Sequence, residues 1–430
     1  MKSDSGIRPS EGLRHVRYEI RGRLARRAHE LERLGYEILS LNIGNPRAFG
    51  LRTPETMRLA MIENLAEAEG YCHQKGIFPA REAVVMQQQE RGVTGVTAEE
   101  VFIGNGVSEL IDLTLRALLN EDDEVLVPSP DYPLWTAAVT LNRGRAVHYP
   151  CRPDSGFVPD PEELASLVTK RTRALVIINP NNPTGAVYPR PVLEALARLA
   201  EERRLVVFSD EIYDQMTYEG AQFVPMATLV HDTLCATLSG LSKVYRACGY
   251  RVGWASFSGR THDAAEYLHA LELLASLRLC SNVTAQWAVQ TALGGHQSVR
   301  ELVSPGGRLY ESRAAILAAV QRSRFLTLSP PQGSMYAFIG VNPMVLPDLD
   351  DQQFALDLLE QKHVLVAPGV SFNVPYSNHF RITNLPDAVT LGEVFARIDE
   401  LLTAYAASAR QQGARDTVSR NVIRTASRFK

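Results

Sequence analysis

Lysine is scarce in this chain. Of 45 basic side chains only Lys2, Lys75, Lys170, Lys243, Lys362 and Lys430 are lysines, so amine chemistry has few candidates. Lys243 lies just past the apolar run Leu234 to Leu238, Lys2 and Lys430 are terminal, and Lys170 and Lys362 sit in polar contexts; Lys75 is the one competitor. A lysine partly removed from water has its ammonium disfavoured, which frees the neutral amine to condense with a carbonyl. The alternative at such a position is a lysine whose stem lies on apolar surface with its head in water. Eight residues on, Arg251 offers a bidentate fork suited to phosphate.

Other residues of chemical interest also follow apolar runs. Asp210, in Asp210-Glu211-Ile212-Tyr213, ends the run Leu205 to Ser209. A buried acid there needs a cation or hydrogen-bond donors, and a helix cap or metal ligand is the alternative reading. Asn179-Pro180-Asn181-Asn182-Pro183-Thr184-Gly185 follows Ala174 to Ile178 and forms a rigid turn that cannot continue the strand. Gly104-Asn105-Gly106-Val107-Ser108-Glu109 opens a helix, where free backbone N–H groups, the helix dipole and the Ser108 hydroxyl suit an anion. It starts like a dinucleotide fingerprint but carries Glu109 in place of the third glycine. Tyr132, in Pro128-Ser129-Pro130-Asp131-Tyr132, could stack on a flat ring. A flat, phosphorylated aldehyde such as pyridoxal phosphate would use the whole ordered set: a lysine for its carbonyl, an acid for its ring nitrogen, donors for its phenolate oxygen and a cup for its phosphate.

These residues require a particular set of elements to position them. Val101 to Ile103, Glu124 to Val127, Ala146 to Tyr149, Ala174 to Ile178, Leu205 to Ser209, Leu234 to Leu238 and Val252 to Phe257 read as strands. Helical patterns at Glu109 to Leu119 and Pro191 to Arg203 separate several of them, which predicts a mostly parallel sheet covered on both faces. Ligands bind such sheets beyond the carboxyl ends of the strands, where the residues above lie. An Arg-rich amphipathic helix over 12–36, short strands at Gly333 to Phe338, Val364 to Ala367 and Phe380 to Thr383, and helices over 352–361 and 388–405 predict a smaller α/β domain made from both termini. The expected division is 1–55 for the N-terminal segment and part of the small domain, 56–305 for the large domain, 306–407 for the small domain and 408–430 for a flexible polar tail.

The 48 acidic residues against 45 basic ones, and 45% apolar residues, describe a soluble globular chain. Nothing in that balance favours nucleic acid or a membrane surface. The first thirty residues lack the apolar stretch of a secretory signal, and no run approaches a membrane span. Five cysteines without CxxC spacing argue against a disulfide framework or a structural metal, so a reduced cytoplasmic setting is expected.

With these motifs in place, the chain resembles the fold type I, class I/II aminotransferases that depend on pyridoxal phosphate, most closely their bacterial alanine aminotransferase group. The motifs that carry the resemblance are Leu41-Asn42-Ile43-Gly44-Asn45-Pro46, Gly104 to Leu110, Pro128 to Trp135, the Asn179 to Gly185 turn, Asp210 to Asp214, and Gly240-Leu241-Ser242-Lys243 with Tyr250-Arg251. They cover roughly residues 15–405. The resemblance implies a large domain with a mostly parallel seven-stranded sheet plus a small α/β domain. It implies that Lys243 anchors the cofactor covalently and then moves the proton of the substrate α-carbon. Asp210 would hold the ring nitrogen protonated, Asn182 and Tyr213 would donate to the phenolate oxygen, and Tyr132 would stack on the ring. Gly106, Val107, Ser108, Ser242 and Arg251 would form the cofactor cradle, with Tyr71 reaching in from a second subunit of an obligate homodimer. Arg381 would bind the substrate α-carboxylate, with Gly44 and Asn182 beside it, and Tyr18 and Arg21 would lie over the site.

Three departures bear on the substrate. Cys72-His73-Gln74-Lys75 replaces the small polar residues expected after Tyr71, and Met335 stands where the family carries another apolar or aromatic residue. No arginine occupies the distal-carboxylate position, aligned with Ser281-Asn282; Arg278 is close but out of register. The expected reaction is transamination between a small or neutral L-amino acid, alanine-like, and 2-oxoglutarate or pyruvate. A lyase, decarboxylase or oxidase using the same cofactor is the alternative. A cofactor-binding gene regulator would need a DNA-binding module, and the single basic helix before residue 40 does not make one.

Overall fold

The computed structural model describes residues 7–16 and 22–426. A short strand β1 (Leu39–Ser40) precedes seven strands that form one sheet: β2 (Val101–Gly104), β3 (Glu124–Ser129), β4 (Arg145–Pro150), β5 (Thr172–Ile178), β6 (Val206–Asp210), β7 (Leu234–Gly240) and β8 (Gly253–Gly259). Their order is β2-β8-β7-β6-β5-β3-β4. Neighbours are parallel except that β8 runs against both β7 and β2. All seven expected runs are therefore strands, and six of them end at the same edge of the sheet.

Alternating residues explain why the sheet is covered twice. On β5, Ala174, Val176 and Ile178 join one buried cluster with Phe208, Leu238 and helix residues such as Leu110 and Trp135. Leu175 and Ile177 face the opposite cluster with Val207, Leu193 and Leu196. Strands this apolar have no face to offer water, so helices must lie on both sides. The helix Val107–Leu118 stands on the first side and Arg190–Arg203 on the second.

The second layer system contains β9 (Leu326–Thr327), β10 (Tyr336–Val341), β11 (Val364–Leu365), β12 (Ala367–Pro368) and β13 (His379–Thr383). Four of these form an antiparallel sheet in the order β12-β13-β10-β9, and β1 pairs in parallel with β11. Leu24, Ala28, Leu31 and Leu41 share a buried cluster with residues between Ile316 and Ala406, so the two ends of the chain do build one small α/β unit.

Some boundaries differ from those expected. Of the continuous helix expected over 12–36, the described residues form a 3-10 turn at Glu11–His15, after which Val16 is extended, and a helix at Arg23–Arg33, before which Gly22 is not helical. The strand expected from Gly333 begins at Tyr336, since Ser334 adopts a left-handed turn conformation. The last helix runs Ala388–Ala426, well past residue 405. Alanine, arginine and glutamine are strong helix formers, and no proline stops that segment.

Candidate active site

A cavity of about 1050 Å³ lies between the carboxyl edge of the large sheet and the small sheet. Gly44, Val107, Ser108, Tyr132, Asn182, Asp210, Tyr213, Ser242, Lys243, Arg251 and Arg381 all line it. Residues from seven separate segments thus meet in one place. Gly106 is just behind the wall, Tyr71 is 82% exposed and does not line the cavity, and Tyr18 and Arg21 lie outside the described residues.

Lys243 sits in the connection from β7 to β8, half-buried, with Nζ donating to the Gly44 carbonyl at 2.8 Å. Its competitor Lys75 is buried elsewhere, held by Glu99 at 3.2 Å and Glu272 at 3.1 Å. Asp210 ends β6 and is buried. Burial pushes its carboxyl up to about 6, although Trp135 Nε1 donates to it at 3.1 Å and opposes the shift. Such a carboxyl gains most from a cation placed beside it.

The turn after β5 is clamped by its own amides. Asn181 Oδ1 accepts from the Thr184 hydroxyl at 2.8 Å, and Asn179 Oδ1 accepts from the Tyr188 amide at 2.9 Å. That leaves Asn182 free to face Arg381, whose Nη1 donates to Asn182 Oδ1 at 2.8 Å. Arg381, on β13, is 1% exposed. Its guanidinium packs against the rings of Tyr336 and Phe372, 4.1 Å and 4.7 Å from their centroids, and Nη2 donates to the Asn42 carbonyl. Nε has no hydrogen-bond partner among the described residues. A buried guanidinium with an unused donor fits a carboxylate ligand.

Tyr213 and Tyr336 meet edge to face, with ring centroids 6.0 Å apart. Burial, reinforced by Tyr336, raises the Tyr213 phenol well above its ordinary range. Burial acts the same way on Tyr336, but Lys243 and Arg381 outweigh it and lower that phenol. Tyr213 therefore stays a proton donor.

An anion cradle occupies the start of the helix Val107–Leu118. Gly104 and Gly240 both pair with Gly253 across the sheet, so three glycines lie side by side at its edge. A Cβ on Gly253 would come within 2.5 Å of the Val107 amide nitrogen. Gly106 has φ 81° and ψ 164°, a conformation nearly restricted to glycine, and a Cβ there would strike the Arg251 guanidinium. Arg251 is held across this cradle by the Cys248 carbonyl at 2.9 Å and the Asn105 carbonyl at 3.3 Å. Tyr132 is presented by a turn fixed through Asp131, which accepts from Thr136 and from Asn373 Nδ2 at 2.9 Å. The donor set therefore fits a phosphorylated pyridine aldehyde: amides and a guanidinium for phosphate, an acid for the ring nitrogen, and a lysine between them.

Several functional neighbours escaped the sequence reading. Trp135 lies in a quoted motif, one helical turn after Tyr132, but its role on Asp210 required the packing of helix on sheet. Tyr336 could have been suspected from strand alternation, since it shares a strand face with Phe338, the residue opposite Arg381 in the β10–β13 pairing. The Asn42 and Gly44 contacts are made by backbone carbonyls, which no side-chain pattern announces. Met335 is fully buried and does not line the cavity. Arg278 is not in the cavity either; it is paired with Glu109 at 3.2 Å and donates to the Ile103 carbonyl at 3.0 Å. Among the described residues no cluster of His, Cys, Asp and Glu is suited to hold a metal ion, and no helix is long and apolar enough to cross a membrane.

Comparison with known proteins places this geometry in a family context. Residues 36–398 match the family model described as aminotransferase class I and II. The chain is 46% identical over 396 residues to the glutamate-pyruvate aminotransferase AlaA of Haemophilus influenzae, covering 92% of this chain and 98% of that one. It is 44% identical over 397 residues to the alanine aminotransferase of Mycobacterium tuberculosis, covering 92% of each. A crystal structure of an aminotransferase from Escherichia coli is similar at a TM-score of 0.91 and 45% identity, covering 93% of this chain and 99% of that one.

Proposed function

Because the chain belongs to the class I and II aminotransferases, we propose that it transfers the amino group between alanine and 2-oxoglutarate, giving pyruvate and glutamate, with pyridoxal phosphate as cofactor. The observation that carries this reading is the convergence of Lys243, Asp210 and a buried Arg381 with an unused Nε on one cavity. The names of the relatives, alanine and glutamate-pyruvate aminotransferases, support the substrate pair.

When bound, the cofactor supplies an aldehyde and an electron-withdrawing ring. Lys243 would hold it through its amine and would act as general base and acid, accepting the proton of the substrate α-carbon and giving it back at the carbon of the cofactor's aldehyde. Asp210 keeps a proton on the ring nitrogen through its charge. Tyr213 and Asn182 donate to the phenolate oxygen. Tyr132 covers the ring, and the Gly106 to Ser108 amides, Ser108, Ser242 and Arg251 hold the phosphate. Arg381 fixes the α-carboxylate, with Asn182 orienting its guanidinium and Gly44 beside it.

We further propose a cytoplasmic homodimer with composite sites. Leu59, Ile62, Leu65, Tyr71, Phe78, Leu273, Leu277 and Leu279 are all exposed, apolar side chains that a second copy would cover. Tyr71 on that surface would complete the partner's cradle. The domain division at residues 55, 305 and 407 belongs to the same reading.

A panel of amino donors offered with 2-oxoglutarate or pyruvate tests the reaction. Alanine consumption matched mole for mole by glutamate formation is expected. Ammonia or carbon dioxide release without any requirement for an oxo acid would establish the lyase, decarboxylase or oxidase alternative instead.

A further inference from the structure

The turn that carries Tyr132 and the turn that carries Phe372 come from different sheets and are clasped together. Pro130 to Tyr132 leave β3 of the large sheet, and Gly369–Phe372 is the 3-10 turn between β12 and β13 of the small sheet. Three hydrogen bonds join them. The Asp131 amide donates to the Phe372 carbonyl at 3.1 Å, the Ser129 hydroxyl to the Asn373 carbonyl at 2.8 Å, and Asn373 Nδ2 to Asp131 Oδ1 at 2.9 Å. Asn373 is left-handed, with φ 55°, a conformation that asparagine adopts more readily than most residues with a side chain. The other end of the turn is pinned separately, by Asp351 Oδ2 accepting from the Val370 amide at 3.1 Å.

The clasp holds one wall of the Arg381 site. Phe372 is fully buried, with its ring centroid 4.7 Å from the guanidinium that Tyr336 also contacts. Ring faces attract a guanidinium without using its N–H groups, and Nε is left over for a ligand. Water admitted beside the guanidinium would raise the local dielectric and weaken its pairing with a carboxylate. Asp131 is fully buried as well. Burial pushes its carboxyl up to about 7, and the Thr136 and Asn373 donors oppose that shift. We propose that Asn373 and Asp131 are positioning residues for the substrate α-carboxylate: by clasping Phe372 to the large sheet they keep water from the Arg381 guanidinium and so set its affinity for the carboxylate. This rests on the role given to Arg381 above, and the experiment separates the two.

The probes are propionate, which has the carboxylate of alanine without its amine, and propanamide, its uncharged counterpart. Their dissociation constants from the holoenzyme are measured by NMR line broadening, and the cofactor affinity of each apoprotein is titrated in parallel. Asn373→Gly deletes the side-chain amide and accepts the left-handed backbone. Ser129→Ala deletes the second bond, and Asp131→Asn keeps an acceptor for the Asn373 amide. The wild type is expected to prefer propionate by about tenfold or more. Asn373→Gly should lose most of that preference, Ser129→Ala part of it, and Asp131→Asn little of it. Cofactor affinity in Asn373→Gly and Ser129→Ala should stay within about twofold of wild type. A full preference in Asn373→Gly overturns the clasp and leaves Arg381 its role; should that variant not fold, a full preference in Ser129→Ala does the same. Cofactor affinity that falls in step with propionate also overturns it, since that marks a general loosening. A wild type without preference refutes the role of Arg381 and the clasp with it.

Discussion

Lys243 and Asp210 divide the chemistry between a mobile amine and a fixed charge. Lys243→Ala is expected to remove covalent attachment and to slow turnover at least about 100-fold. Borohydride reduction followed by mass measurement checks it, because only a chain with the anchoring amine retains the cofactor mass. Retained attachment in the variant would move the anchor elsewhere. Asp210 gives a prediction with a sign. Its carboxyl is pushed up to about 6, above the unfolded value, so burial favours the protonated form and the stability this contributes is lost as pH rises from about 4 through 6. A protonated ring nitrogen reverses the preference by favouring the carboxylate. Cofactor affinity of the apoprotein should therefore weaken as pH falls through about 6, and Asp210→Asn should bind weakly with a flatter profile in that range. An unchanged profile in Asp210→Asn would assign the titration to another group.

At the scale of elements, the site depends on strand ends that lack side chains. Gly104, Gly253 and Gly240 let the start of the helix Val107–Leu118 close against the sheet, and Gly106 then turns its amides toward Arg251. Gly106→Ala forces a residue with a Cβ into a conformation costing about 1–3 kcal/mol and pushes on the Arg251 guanidinium. Cofactor affinity is expected to fall by roughly tenfold or more, checked by titrating the apoprotein. Normal affinity would show that this cradle does not hold the phosphate. The core helices and strands tolerate no such economy: Leu126 and Ile177 are fully buried, and either substituted by alanine would cost about 2–5 kcal/mol wherever the site lies.

For the whole molecule, the question is why a chain would leave so much apolar surface exposed. Leu273 is 58% exposed and Leu277 is 75% exposed on the same helix, Ala265–Leu277. Substituting both with aspartate should shift a dimer toward monomer in sedimentation and reduce activity with it, since Tyr71 would lose its neighbour's site. A monomeric wild type, or an unaltered dimer in the variant, would refute the composite site.

The strands of the large sheet, their covering helices and eleven of the residues that line the cavity were legible in the sequence, because continuous apolar runs and glycine or proline turns act locally. Periodicity also placed Lys243 and Asp210 at or just beyond the ends of such runs, whereas Arg381, inside the strand His379–Thr383, was singled out by the family resemblance. It could not place Trp135 beneath Asp210, or Phe372 against Arg381, because the first contact joins segments 75 residues apart and the second joins a 3-10 turn to a strand. Nor could it see that Gly44 and Asn42 act through their carbonyls, or that Arg278 is already engaged by Glu109 and the Ile103 carbonyl. Residue type and local spacing determined which groups could do chemistry. Only tertiary packing decided which of them share a cavity, which are already satisfied, and which retain a donor for a ligand.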